Sequence, residues 1–236
     1  MPPDVQETTA RVRREFDRIA ALPDDGWNHN SHYHSFLLKH LPPRCGSALE
    51  LGCGTGVFTR ALARRAERVV ALDLSPGMIA VARSRGGNVP NIAYQITDAL
   101  AWDWPAARFD CIAAIATLHH LPLEAMLRTM RDALAENGVL LVLDLYHAQG
   151  LGERLTRALA LPLSSAARLA HTGHLRPSPA ARAAWAEHGR HDRHPTLAHV
   201  RQACVSLLPG ARVRRHLFLR YSIVWRKTPS HQSPAQ

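Results

Sequence analysis

Lysine is nearly absent from this chain: of 29 basic residues only Lys39 and Lys227 are lysines, the rest being arginine. Aromatic residues are few as well, at 6%, yet the formal net charge reaches +10 over 236 residues. Arginine enrichment with abundant alanine is what a GC-rich coding bias produces. The arginines are also scattered, with only small knots such as Arg64-Arg65 and Arg212 to Arg215. A solvated, compositionally biased surface accounts for this charge better than a nucleic-acid footprint. Cysteines at 45, 53, 111 and 204 form no CxxC pair. That argues against a disulfide framework or a zinc knuckle and fits reduced thiols in a cytoplasm. No apolar run approaches a membrane span, and the start, MPPDVQETTARVRREF, is too polar and acidic for a signal peptide. What remains is ordinary: 46% hydrophobic and 20% charged residues, enough to build one large α/β domain.

Apolar periodicity predicts a helix from about Thr9 to Leu22, then a polar hinge at Pro23 to Gly26. The segment WNHNSHYHSFLLKHLPP follows, its second half helical until Pro42. From Ser47 short β-like runs alternate with helices: SALEL, a helix over Val57 to Ala66, RVVALDL, and a helix from the Ser75-Pro76 cap pair to Arg85. NIAYQI, FDCIAAIA, a helix ending at Asn137-Gly138 and VLLVLDL complete the series. Continuously apolar strands between helices mean a parallel sheet covered on both faces. Leu151 to Ala170 reads as helix and 172–195, rich in Pro, His and Arg, as loop. A helix over Thr196 to Leu208 precedes ARVRRHL and LRYSIVW, whose close succession predicts an antiparallel hairpin. The expected fold is a Rossmann-like α/β architecture with a seven-stranded, mostly parallel sheet. Residues 1–44 are expected to form N-terminal helices and a lid, 45–228 the main domain with a variable helical and loop segment over 150–195 on the substrate side, and 229–236 a frayed tail.

The chemistry is carried by Glu50-Leu51-Gly52-Cys53-Gly54-Thr55-Gly56. A strand feeding a glycine-rich turn and then a helix lets backbone approach a ligand and aims free N–H groups at an anion. The spacing is G-x-G-x-G, with Val57 where a dinucleotide fingerprint would place its third glycine, which weakens an oxidoreductase reading. Seventeen residues after Gly56 the next strand ends in Asp73, placed to accept two hydrogen bonds from a ribose diol.

The ordered set of ELGCGTG, Asp73 in VVALDLSPGMI, Asp98 in ITDA and FDCIAAIATLHHL resembles the class I S-adenosylmethionine-dependent methyltransferases, between roughly Leu49 and Leu145. The resemblance implies S-adenosylmethionine as cofactor. Gly52 and Gly54 would pass its methionine part, Gly56 would also belong to the cofactor loop, Glu50 would lie near the ammonium group, and Asp73 would hold the ribose. Leu74 and Met78 would flank the adenine, with Asp98 and Ala99 at its amino edge and Ala116 nearby. Met78 reads equally well as core; Asp98 could be a turn residue, but its spacing after NIAYQI favours cofactor contact. Trp27 to His34 resembles the family's N-terminal cover, so Trp27, His29, His32 and Tyr33 are candidate lid residues, and Tyr146 joins them on the substrate side.

His119 and His120 follow the fourth strand, at the carboxyl edge where open α/β sheets bind ligands. His119 is the candidate general base or acceptor-orienting group, with His120 as second choice; similar LHHL runs recur in methyltransferases acting on quinones. His188, His191, His194 and His199 crowd together in sequence, but in a loop-like region without an acidic or cysteine ligand pattern, so no metal is expected. The expected activity is methyl transfer to O, N or S of a small metabolite, in a cytoplasmic monomer or homodimer without membrane attachment. A nucleic-acid methyltransferase is disfavoured because Ala116-Thr117-Leu118-His119 stands where the Asn/Asp-Pro-Pro-aromatic run of base-methylating enzymes would fall. A non-catalytic cofactor-binding protein is the third reading.

Overall fold

Ser47–Leu51 (β1) is buried at every position, which is why SALEL shows no polar alternation: flanked by strands and covered on both faces, it has no solvent side. The computed structural model describes residues 3–23, 28–87, 89–148, 165–166 and 168–229. The remaining strands are Arg68–Asp73 (β2), Ile92–Ile96 (β3), Phe109–Ile115 (β4), Leu134–Leu145 (β5), Arg212–His216 (β6) and Arg220–Arg226 (β7). They form one sheet in the order β3-β2-β1-β4-β5-β7-β6. The first five strands pair in parallel, and β7 runs antiparallel to both β5 and β6. The expected mixed sheet with its terminal hairpin is present. Winding reverses between β1 and β4, which opens a crevice at the carboxyl ends of those strands.

The helices include Pro3–Ala20 (α1), His34–Leu38 (α2), Val57–Ala63 (α3), Pro76–Gly86 (α4), Leu123–Ala133 (α5), Pro179–Gly189 (α6) and Leu197–Leu207 (α7), and residues 168–172 are helical as well. Strand alternation splits the core. Ile112, Ala114, Leu140 and Val142 pack with Met126 and Leu127 of α5 and Val200 and Cys204 of α7. Their neighbours Ala113, Leu141 and Leu143 face the other layer, where Leu37, Phe58 and Leu62 lie.

Two expectations change. Helix α5 stops at Ala133, not at Asn137-Gly138, because Leu134 already pairs with Phe109 in the sheet. Lys227, one of the two lysines, donates from Nζ to the Arg131 and Leu134 carbonyls and so closes the end of α5. The predicted loop over 172–195 contains α6, capped by the Ser178 hydroxyl, which accepts from Ala181 N–H, with Pro179 in the first turn. Most of the helix predicted over Leu151 to Ala170 lies outside the described residues.

Candidate active site

After β1 the chain turns through Gly52, Gly54 and Gly56, all with positive φ (68°, 52° and 74°), a region that penalises any Cβ. At Gly52 contact adds to conformation: a Cβ there would lie 2.1 Å from Thr117 Oγ1. Thr117, in the turn after β4, is thus pressed against the glycine turn while its hydroxyl faces the Leu51 and Ile115 carbonyls. Sequence reading passed over this residue. At Gly54 the opposite holds, since a Cβ would meet nothing within 4 Å.

Asp73, at the end of β2, clasps this turn. Gly54 N–H donates to Oδ2 at 2.7 Å and Ser75 N–H to Oδ1 at 2.9 Å. Each oxygen keeps a lone pair, so holding the turn and receiving a diol are compatible roles. Burial pushes the Asp73 carboxyl up, opposed by those two N–H groups. Glu50 is also buried, with Thr59 Oγ1 donating to its Oε2. Burial, opposed by that hydroxyl and reinforced by Asp73, raises its pKa to about 8. A cation arriving beside Glu50 would favour its charged form.

A cavity of about 520 Å³ lies beyond β2 and β3, bordered by Thr9, Arg13, Leu74, Thr97 and Asp98. Asp98 Oδ1 accepts from Leu100 N–H, and Ala99 C=O from Trp104 Nε1. Met78 is buried within α4. Helix α1, which begins at Pro3 and not near Thr9 as the periodicity predicts, covers this end. Its Asp17 Oδ1 accepts from Ser75 Oγ and from Gly77 N–H, placing an acidic group on the N-terminus of α4.

The candidate lid residues lie elsewhere along the edge. Trp27 is outside the described residues. The His29 ring stacks 4.6 Å from Phe218, His32 packs edge-on against Tyr33, and Tyr33 donates from its hydroxyl to Leu217 C=O. Arg220 Nε donates to Asn30 Oδ1 at 2.7 Å. This segment therefore sits on the β6–β7 turn, and Tyr146 is buried in the core beside it. Burial, aided at His29 by Arg220, lowers both His29 and His34 to about 4. A depressed histidine leaves the folded state short of protons relative to the unfolded chain, so stability present above pH 6.5 is lost as pH falls toward 4. His34→Phe, which keeps the ring against Phe58, should gain stability relative to wild type as pH drops through that window. Urea midpoints at neutral and acidic pH check this, and a pH-independent difference contradicts it.

The β4 end carries the most concentrated chemistry. Ala116 has φ +50°, and a short 3-10 turn, Leu118–His120, turns both histidines inward. His119 Nδ1 lies 2.6 Å from Asp144 Oδ1, and His119 N–H donates to Asp144 Oδ2 at 2.9 Å; Asp144, near the end of β5, is fully buried. Because a carboxylate only accepts, Nδ1 carries the hydrogen and Nε2 the lone pair. Helix α6 delivers His188 to the same place, and Asp192 follows it, 3.9 Å from His119 Nε2 and 3.6 Å from His120 Nδ1. The expectation that no acidic group joins these histidines is corrected, since Asp192 stands among His119, His120 and His188. His199 stays apart, paired with Glu124.

Against known proteins, residues 48–138 match the family described as "Methyltransferase domain". A methyltransferase of Mycobacterium bovis is 28% identical over 209 residues, spanning 86% of this chain and 98% of its own. With that domain and these relatives, this chain is an S-adenosylmethionine-dependent methyltransferase. A 2-phytyl-1,4-naphthoquinone methyltransferase of Thermosynechococcus vestitus is 37% identical over 152 residues, covering 58% of this methyltransferase and 66% of its own length. In fold, the methyltransferase is similar to the N-methyltransferase NodS from Bradyrhizobium japonicum, solved with S-adenosylhomocysteine (TM-score 0.57, 19% identity, 92% and 98% of the two chains). No helix among the methyltransferase's described residues is long and apolar enough to cross a membrane.

Proposed function

We propose that this methyltransferase acts on an oxygen, nitrogen or sulfur atom of a small-molecule metabolite. The observation carrying the reading is the clasp of Asp73 on Gly54, with open space over Gly54 and lone pairs left on both carboxylate oxygens. These residues fit the cofactor: Gly52, Gly54 and Gly56 would let its methionine part pass, Asp73 would hold the ribose hydroxyls, and buried Glu50 would meet the ammonium group. Leu74 and Asp98 would border the adenine from the cavity under α1, with Ala99 next along the chain, Met78 packed behind and Ala116 beside the transfer edge. S-adenosylmethionine, when bound, supplies an electrophilic methyl group on a sulfonium. The chain's own task is then to align the acceptor, exclude water and take an acceptor proton where one must leave.

His119 is the group we assign to that proton, at Nε2, oriented by Asp144 through Nδ1. His120 stands next to it, and the segment of His29, His32 and Tyr33, seated on the β6–β7 turn, would close that side. Likeness to a quinone methyltransferase supports a small acceptor, and the missing base-stacking run after β4 argues against nucleic acid. A labelled-methyl assay across phenols, amines, thiols, carboxylates and structured RNA tests this. Incorporation into one small-molecule class is the expected result; incorporation into RNA alone, surviving raised salt, would overturn it.

A further inference from the structure

We propose that His119, His120, His188 and Asp192 form a binding site for one divalent transition-metal ion of the zinc type. Two of the imidazoles are already oriented as ligands. His119 Nδ1 is held by buried Asp144 at 2.6 Å, and His188 Nδ1 by Glu15 Oε2 at 2.8 Å. Each carboxylate fixes a hydrogen on Nδ1 and leaves the Nε2 lone pair facing inward, the orientation that outer carboxylates impose on metal-bound histidines. Both Nε2 atoms converge on Asp192 Oδ2, at 3.9 Å from His119 and 3.5 Å from His188. His120 Nδ1 lies 3.6 Å from Asp192 Oδ1, and all four ligand atoms fall within 4.8 Å of one another.

Those separations exceed hydrogen-bond length yet approach the roughly 3.3 Å between neighbouring donors of a tetrahedron with Zn–N near 2.0–2.1 Å. His120 Nε2 is buried with no hydrogen-bond partner among the described residues. The Phe16 ring packs edge-on against His188 and His120, shielding the group from water. Three imidazoles and one carboxylate suit a zinc-type ion rather than calcium or magnesium, which take oxygen shells. The ligands come from the turn after β4 and from α6 with the residues following it, and Glu15 from α1. A bound ion would therefore fasten α1 and α6 to the carboxyl edge of the sheet.

The inference does not rest on methyl transfer. A metal on Nε2 leaves His119 no lone pair for a proton, so ligand and base are alternative states of one imidazole. The test is Zn²⁺ uptake by the full chain after chelator treatment, read by equilibrium dialysis with elemental analysis, and by visible ligand-field absorption of four-coordinate Co²⁺. One equivalent should bind with sub-micromolar affinity. His188→Ala and Asp192→Asn should each weaken binding at least about 10- to 100-fold, Glu15→Gln by about 10-fold, and His199→Ala not at all. Circular dichroism and S-adenosylhomocysteine binding report whether each variant is folded. Failure of wild type to take up Zn²⁺, or uptake that folded Asp192→Asn and His188→Ala leave unchanged, would overturn the proposal. Neither outcome touches the methyl-transfer reading, which is measured without zinc.

Discussion

In metal-free protein, His119→Ala should lower turnover of a weakly acidic hydroxyl or thiol acceptor by about 10²- to 10⁴-fold while cofactor affinity stays nearly intact. Burial alone would make His119 a poorer proton acceptor, but the charge and hydrogen bond of Asp144, joined by Asp192, outweigh it and raise the pKa above its ordinary value. That basicity sits on Nε2, since Nδ1 is committed to Asp144. Rate should therefore fall as pH drops below the raised pKa, and the variant should lose this limb of the profile. Removing the ring also strands buried Asp144, so the comparison requires a variant shown to be folded. An acceptor that is already an anion or a free amine needs no base and should be far less sensitive. Near-normal turnover of folded His119→Ala on a phenol or thiol, across neutral pH, would remove His119 from the chemistry.

Gly52→Ala should destabilise the fold by about 2–5 kcal/mol and abolish measurable cofactor binding at ordinary concentrations. Two costs combine. A left-handed backbone disfavours a Cβ by about 1–2 kcal/mol, and overpacking adds about 1–3 kcal/mol. The overpacking has a named partner, because the new methyl would lie 2.1 Å from Thr117 Oγ1 and 2.6 Å from its Cγ2. Thr117→Ala in the same chain removes those two atoms and should recover part of the stability while leaving the conformational cost. Urea denaturation of both single variants and the double variant measures the coupling. Strict additivity would show that Thr117 does not limit this turn.

The glycine turn, Asp73 and the strand–helix alternation were legible because each is local: a few adjacent residues set backbone freedom, caps and burial. The same local signal was available at Ser178-Pro179, which caps α6 as Ser75-Pro76 caps α4, but surrounding Pro, His and Arg masked it. Contacts between distant segments were not legible. Asp144 reaches His119 across 25 positions, and Glu15 reaches His188 across 173. Nothing in the sequence near either histidine announces its carboxylate. The covering role was likewise divided in a way no local pattern reveals, with α1 over the Leu74 and Asp98 cavity and His29 to Tyr33 on the β6–β7 turn.

Calorimetric titration of the purified chain with S-adenosylmethionine and S-adenosylhomocysteine, beside a nicotinamide dinucleotide, tests the account at its centre. Both sulfur nucleosides should bind with one site per chain and the dinucleotide should not. Asp73→Ala should weaken them by about 1.5–3 kcal/mol, the worth of hydrogen bonds to a charged group. Tight binding of the dinucleotide with none of the methyl donor, or wild-type affinity in folded Asp73→Ala, would contradict it.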